Sequence, residues 1–291
     1  MSKVVNTGTN TELSSGPPPT EQQSGLFQFA KRLSGKTKQS LRRLQTSPFR
    51  WVFDIPVALI FGRNLKMLAT LYGSDKWNTH WYAQHYEQAF RSIRRKRLTV
   101  LEIGIGGYGD PRLGGGSLRM WRTWFPHAVI HGIDIEDKSG HEERRIRIHR
   151  GSQTDNDFLA SVIEKTGPPD LIVDDGSHRN RDVISTFKFL FPRLADGGYY
   201  VVEDIQTSYW PDGDISDRNN PSTSVGFFKA LVDGLNWEEY FGDYRPNDFD
   251  LGITSISFHH NLIIVKKGRN REGSNNRLWN AGKPEWTHFT E

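Results

Sequence analysis

The sequence predicts an α/β fold: a mostly parallel sheet, helices between its strands, closed by an antiparallel C-terminal hairpin. Three observations carry this. From Leu98 onward short apolar runs alternate with amphipathic helical patterns, the signature of βαβ units. A glycine-rich stretch, Gly104-Ile105-Gly106-Gly107-Tyr108-Gly109, follows the first of those runs directly. The last two runs are separated only by His259-His260-Asn261, short enough for a hairpin and too short for a crossover helix.

Element by element, residues 99–103, 129–134, 145–149, 171–174 and 199–203 read as strands, rich in Val, Ile, Leu and Tyr. Helices are expected at 118–125, 155–165 and 181–191, with Ser117, Thr154 and Asn180 as N-caps and Pro126 and Gly167 as stops. Val183, Phe187 and Leu190 give the last of these one buried stripe. Trp121 and Trp124, on the helix after the first strand, are expected in the core. Residues 254–258 and 262–266 form the closing hairpin, which makes His259 and His260 turn residues.

Four regions follow from composition. Residues 1–25 are mostly Ser, Thr, Asn, Gln, Gly and Pro and cannot bury enough surface to offset the entropy of ordering, so a disordered tail is expected. Residues 26–63 form a basic helical extension: Lys31, Arg32, Lys36, Lys38, Arg42, Arg43 and Arg50 occur with no acid between Gln22 and Phe53. Residues 64–267 hold the α/β domain, and 268–291 a C-terminal tail. The net charge of +4 over 291 residues belongs largely to that extension, whose Leu26, Phe29, Leu33, Leu41 and Leu44 recur at helical spacing. Such an arm permits peripheral contact with an anionic membrane, but a helix packed on its own core or on a second subunit, giving a homo-oligomer, is the favoured reading. No stretch reaches the roughly 20 apolar residues of a membrane span, and no signal-peptide pattern opens the chain, so a cytoplasmic location is expected. With no cysteine, disulfides, thiolate metal sites and a Cys nucleophile are excluded, and any metal must sit on oxygen or imidazole.

The glycine stretch satisfies G-x-G-x-x-G, which raises a nicotinamide dehydrogenase as a rival. Asp110-Pro111-Arg112-Leu113-Gly114-Gly115-Gly116 then delays the helix that should meet a pyrophosphate. Glu102, just before the glycines, suits a cationic or zwitterionic ligand better, and Asp134, ending the second strand, is placed for ribose hydroxyls. Here the chain resembles the class I S-adenosylmethionine-dependent methyltransferases, over about residues 71–267. That resemblance implies a Rossmann-like fold in which Gly104 and Gly106 approach the cofactor beside Glu102, Asp134 holds its ribose, and Gly151, Ser152 and Gln153 line the adenine.

Two further strands end in paired acids: Asp174-Asp175-Gly176-Ser177-His178 and Glu203-Asp204. Carboxyl ends of neighbouring parallel strands face one crevice, and clustered carboxylates repel unless a cation lies among them. An all-oxygen set suits Mg2+. Successive strand residues point to opposite faces, so Asp174 is read as a loop-tying carboxylate.

This pattern resembles the metal-dependent sugar O-methyltransferases, a group that includes the mycinamicin deoxyallose and the mycobacterial methylmannose-polysaccharide methyltransferases. By that resemblance Asp175, Glu203 and Asp204 are metal ligands and His178 is the base. Residues 71–76 with His80 and Tyr82 resemble the family's stretch covering the cofactor. A metal is needed because an alcohol near pKa ~15.7 facing a free imidazole near ~6.5 makes proton transfer uphill by roughly 12 kcal/mol. The expected activity is methyl transfer from S-adenosylmethionine to a saccharide hydroxyl, with a methylmannose oligosaccharide (1-O position) first and an antibiotic glycoside or catechol-like molecule as alternatives. A catechol-type enzyme would pair its acids with Asn and use Lys as base. An adenine methyltransferase would carry Pro-Pro-aromatic after the fourth strand, whereas Pro168-Pro169 precede it, so nucleic acid is not expected as a partner. The alternative of a different class is a membrane- or RNA-binding protein acting through residues 26–53 and the Arg91, Arg94, Arg95, Lys96 and Arg97 cluster. The segment 209–217, with Tyr209, Trp210, Asp212, Asp214 and Asp217, reads equally as a saccharide platform or a solvated lid.

Overall fold

The computed structural model describes residues 51–210, 220–240 and 243–274, and side chains from residue 54 onward. The readings of the tail before residue 26, of most of the basic extension, of Asp212, Asp214 and Asp217, and of the last 17 residues fall outside these.

The chain runs α1 (Trp51–Phe61), α2 (Leu65–Tyr72), α3 (Ala83–Phe90), β1 (Thr99–Ile103), α4 (Gly116–Trp124), β2 (Val129–Asp134), β3 (Ile146–Arg150), α5 (Asn156–Thr166), β4 (Leu171–Asp174), α6 (Asn180–Leu190), β5 (Tyr199–Glu203), α7 (Ser224–Gly234), α8 (Asp248–Gly252), β6 (Ile253–His259) and β7 (Leu262–Lys267). The strands form one seven-stranded sheet in the order β3-β2-β1-β4-β5-β7-β6. β1 to β5 pair in parallel, and β7 pairs antiparallel with both β5 and β6. This is the Rossmann-like class I methyltransferase architecture, with the order reversing between β1 and β4.

Alternation along each strand splits the core in two. Val100, Leu171, Val173, Val201 and Ile264 join Trp121, Trp124, Phe90, Tyr86 and Leu68 on the face covered by α2, α3 and α4. Leu101, Ile103, Ile172, Tyr200 and Val202 pack against Leu159, Val183, Phe187 and Phe228 of α5, α6 and α7 on the other. Val57 of α1 is buried in the first of these clusters. No described helix is long and apolar enough to cross a membrane.

Several local expectations are corrected. β3 starts at Ile146, not Arg145, because Arg145 has φ +66 and its guanidinium binds the carbonyls of Arg122, Phe125 and Ala128. α5 is capped by Asp155, whose carboxylate accepts from Phe158 N at 3.0 Å, rather than by Thr154. α4 begins behind Gly115 (φ +72), one residue before Ser117. Asn180 does not cap its own helix: its Oδ1 accepts from Ser208 Oγ (2.8 Å) and from Ser224 N (2.7 Å), at the start of α7. His259 is the last residue of β6, stacked on His85 with ring centroids 3.9 Å apart, which leaves His260 and Asn261 (φ +59) as the turn.

Candidate active site

The carboxyl ends of β1, β2, β4 and β5 lie side by side where the strand order reverses, and there the predicted residues gather. Glu102 of β1 and Glu203 of β5 are both buried, on the α2–α4 side of the sheet. The chain leaving β4 puts Asp175 on that same side. Asp174, one residue earlier, points to the opposite face, where it accepts hydrogen bonds from Gln153 Nε2 (3.2 Å) and Tyr200 OH (3.0 Å). Burial pushes its carboxyl up to about 7. Its expected role in tying the loop matches these contacts.

A residue that sequence reading left without a role sits at the centre. Lys76, fully buried, donates to Asp175 Oδ2 at 2.9 Å and to the Glu203 carboxylate at 2.8 Å, and lies 3.3 Å from Glu102 Oε1. Burial alone would lower this ammonium, but the charges of Asp175, Glu203 and Glu102 outweigh it and hold it well above its ordinary range. The carboxyls respond to burial in turn: Glu102 is raised to about 7, Asp175 is raised, and Glu203 is raised well above the usual range with Asp175 adding to the effect. Tyr86 OH, from α3, also donates to Glu203.

Of the three acids expected to form one ligand set, Glu203 is directed differently from Asp175 and Asp204 in this structure. Glu203 turns inward to Lys76 and Tyr86, whereas Asp175, His178 and Asp204 each offer a ligand atom, all within 4.8 Å of one another and all partly exposed. His178 Nε2 is 3.9 Å from both Asp175 Oδ1 and Asp204 Oδ2. Adjacent acids diverge here because Asp204 takes φ +53 at the end of β5, and His178 likewise has φ +56. Left-handed backbone at non-glycine residues is costly, and it concentrates at sites where the side-chain direction matters. Tyr82 OH fixes Asp204 Oδ1 at 2.6 Å, His80 Nδ1 lies 3.7 Å from that same oxygen, and the rings of His80 and Tyr82 stack. Thr207 Oγ1 donates to His178 O at 2.7 Å.

The residues expected around a nucleoside divide in the same way. Asp134 accepts from Ile105 N (3.0 Å) and Glu136 N (2.9 Å), so its carboxylate joins the glycine loop to the end of β2. Gly104 (φ +87) is required by packing, since a Cβ there would lie 2.0 Å from Asp175 O. Gly106 (φ +77) faces open space, the nearest neighbour of an added Cβ being 4.0 Å away. Ser152 Oγ is 2.9 Å from Thr154 Oγ1 at the surface. Gln153, expected beside the adenine, has its amide buried and engaged by Asp174, Thr186 Oγ1 (3.1 Å) and Ser177 N (2.7 Å), so its side chain braces two loops.

A model of the methyltransferase-domain family matches residues 58–205. The chain belongs to that family. Within it, the chain is 46% identical over 216 residues to the 8-demethyl-8-alpha-L-rhamnosyl tetracenomycin-C 2'-O-methyltransferase of Streptomyces olivaceus, covering 72% of this chain and 57% of that protein. It is 41% identical over 228 residues to the mycinamicin VI 2''-O-methyltransferase of Micromonospora griseorubida, covering 77% and 55%. Among solved structures it is similar to MycE methyltransferase from the mycinamycin biosynthetic pathway in complex with Mg, SAH and mycinamycin VI. There the identity is 42%, the TM-score 0.69 and the coverage 72% of this chain and 55% of that one. The chain thus spans about half the length of these methyltransferase relatives.

The donor sets fit both groups that the fold family implies. Two carboxylates and an imidazole converging at partly exposed positions suit a divalent cation. The buried Glu102 oxygens, which make no well-aligned hydrogen bond, the open backbone at Gly106 and the Asp134 carboxylate suit a zwitterionic nucleoside.

Proposed function

We propose that this chain is an S-adenosylmethionine- and Mg2+-dependent O-methyltransferase acting on a sugar hydroxyl of a glycosylated small molecule, an antibiotic glycoside in particular. The single observation that carries the reading is the convergence of Asp175, His178 and Asp204 beside the β1 glycine loop. The names of the relatives favour a glycosidic antibiotic acceptor over the methylmannose oligosaccharide that the sequence first suggested.

In this reading Asp175 and Asp204 hold the cation, and the imidazole of His178, a poorer partner for Mg2+ than oxygen, remains as the base. Glu203 supports them from behind by keeping Lys76 against Asp175. A divalent cation held by these two aspartates would supply acidity to the acceptor hydroxyl. Bound S-adenosylmethionine supplies the electrophilic methyl group. The chain itself does the rest. His178 Nε2 takes the hydroxyl proton as the oxygen attacks. Tyr82 keeps Asp204 turned outward. Glu102, Gly106 and Asp134 orient the cofactor, so that transfer depends on placing the oxygen about 3 Å from the methyl carbon. The exposed rings of Tyr209 and Trp210 follow Thr207, the residue bonded to the His178 carbonyl, and are assigned to the saccharide. Residues 64–267 are assigned as the catalytic domain.

Radiolabelled methyl transfer to a panel of deoxysugar glycosides and mannosides, with and without Mg2+, tests this. Chelator-sensitive labelling of the glycosides is expected. His178→Ala should lower turnover by about 10²–10⁴-fold while sparing cofactor affinity; a fully active variant would remove His178 from the mechanism.

A further inference from the structure

The connection between β1 and α4, residues 104–115, leaves the carboxyl end of β1, beside the nucleoside site proposed above, and it folds around a buried ammonium. Lys138, fully buried four residues beyond Asp134, donates to the carbonyls of Tyr108 (2.7 Å), Asp110 (2.7 Å) and Leu113 (3.2 Å). Its three N–H donors meet three acceptors from one loop, the full valence of the group. His141 Nε2 lies 3.2 Å from the same Leu113 carbonyl, and its Nδ1 lies 3.2 Å from Arg119 Nη2. Arg119 cannot accept, so Nδ1 does, and Nε2–H faces the loop. The β2–β3 connection therefore holds this loop at two points.

What the anchor restrains is unusual. Tyr108 has a left-handed backbone (φ +46) and is 94% exposed. Gly107 and Gly114 also have positive φ, and a Cβ on Gly107 would lie 2.3 Å from the Leu113 backbone. The loop thus has no apolar core of its own and contains a residue that pays backbone strain to put an aromatic ring in solvent.

We propose that Lys138 is a positioning residue for the cofactor: its ammonium takes the place of a bound cation in shaping the 107–114 loop, and so holds Tyr108 over the nucleoside side of the cleft. This rests on the reading of the cleft as an S-adenosylmethionine site. The hydrogen bonds of Lys138 go to Tyr108, Asp110 and Leu113 and to none of Asp175, His178 and Asp204, so cofactor and metal affinities should separate.

Calorimetric titration of the full chain with S-adenosylhomocysteine, and separately with Mg2+, tests it. Lys138→Met should weaken S-adenosylhomocysteine by roughly tenfold or more, the scale of losing hydrogen bonds to a charged group. It should leave Mg2+ affinity within about twofold, and Lys138→Arg should regain most of the loss. Should Lys138→Met not fold, hydrogen exchange on the parent protein decides: residues 106–114 should gain protection when S-adenosylhomocysteine binds. Unchanged cofactor affinity in a folded Lys138→Met, an equal fall in both affinities, or no added protection would overturn the proposal. A parent protein that does not bind S-adenosylhomocysteine would instead refute the reading of the site itself.

Discussion

Among the described residues two lysines are completely buried, and they are accommodated in opposite ways. Lys76 is surrounded by three carboxylates, Lys138 by three backbone carbonyls. The first arrangement is a balance of full charges in a low-dielectric setting, where removing one partner leaves the others uncompensated. The second is a balance between one charge and local dipoles, where the released carbonyls belong to a surface loop that can turn to water. The first joins the helices before β1 to the ends of β1, β4 and β5, and so concerns the whole fold. The second concerns one loop.

A third, half-buried base follows another rule and sharpens the contrast. His131 Nδ1 is 3.0 Å from His149 Nε2 on the neighbouring strand, with no anion in contact. Burial first, and His149 second, lower His131 to about 4. Where neither carboxylate nor carbonyl compensates the charge, the group gives up its proton.

These differences predict effects of graded size. Lys76→Met should cost about 3–5 kcal/mol in denaturant unfolding, and pairing it with Glu203→Gln should recover part of that loss. A variant as stable as the parent would show that the carboxyls around Lys76 are already neutral. Lys138→Met should cost about 1–3 kcal/mol, smaller than Lys76→Met and concentrated in exchange of the 107–114 amides. Tyr82→Phe keeps the ring and deletes the bond to Asp204; about 1.5–3 kcal/mol less stability is expected, as for a hydrogen bond to a charged group. A further effect is one of pH. Because His131 has a lower pKa folded than unfolded, its contribution is complete above about 6.5 and is lost as pH falls toward 4. Asp174, raised to about 7, works in the other direction, binding more protons folded and losing its contribution as pH rises. The stability of His131→Asn relative to the parent should therefore improve as pH is lowered from 6.5 to 4, a difference that urea titrations at fixed pH would reveal.

Much of this was readable in the amino-acid order. Residues 99–103, 129–134, 171–174 and 199–203 are strands with the ends expected from their apolar runs, because burial on both faces leaves little choice of residue. The paired acids at 174–175 and 203–204 mark the crevice for the same topological reason. Lys76 was hidden because its partners are 26, 99 and 127 positions away, and periodicity carries no information at that range. Glu203 and Asp204 separate into an inward and an outward carboxylate through one left-handed residue, which no spacing rule announces. Gln153 looked like a ligand-facing polar residue, but its amide is claimed by buried Asp174 and Thr186 and by Ser177 N. The one available signal for Lys76 was its place in the 71–76 segment, which resembles the family's cofactor-covering stretch.

The most direct test of the central claim is calorimetric titration of Mg2+ into the S-adenosylhomocysteine-loaded protein, parent against Asp204→Asn. One ion per chain in the parent, and its loss in the variant with the fold intact by circular dichroism, is the predicted result. Equal Mg2+ binding by both proteins would contradict the assignment of the cation to Asp175 and Asp204 beside His178.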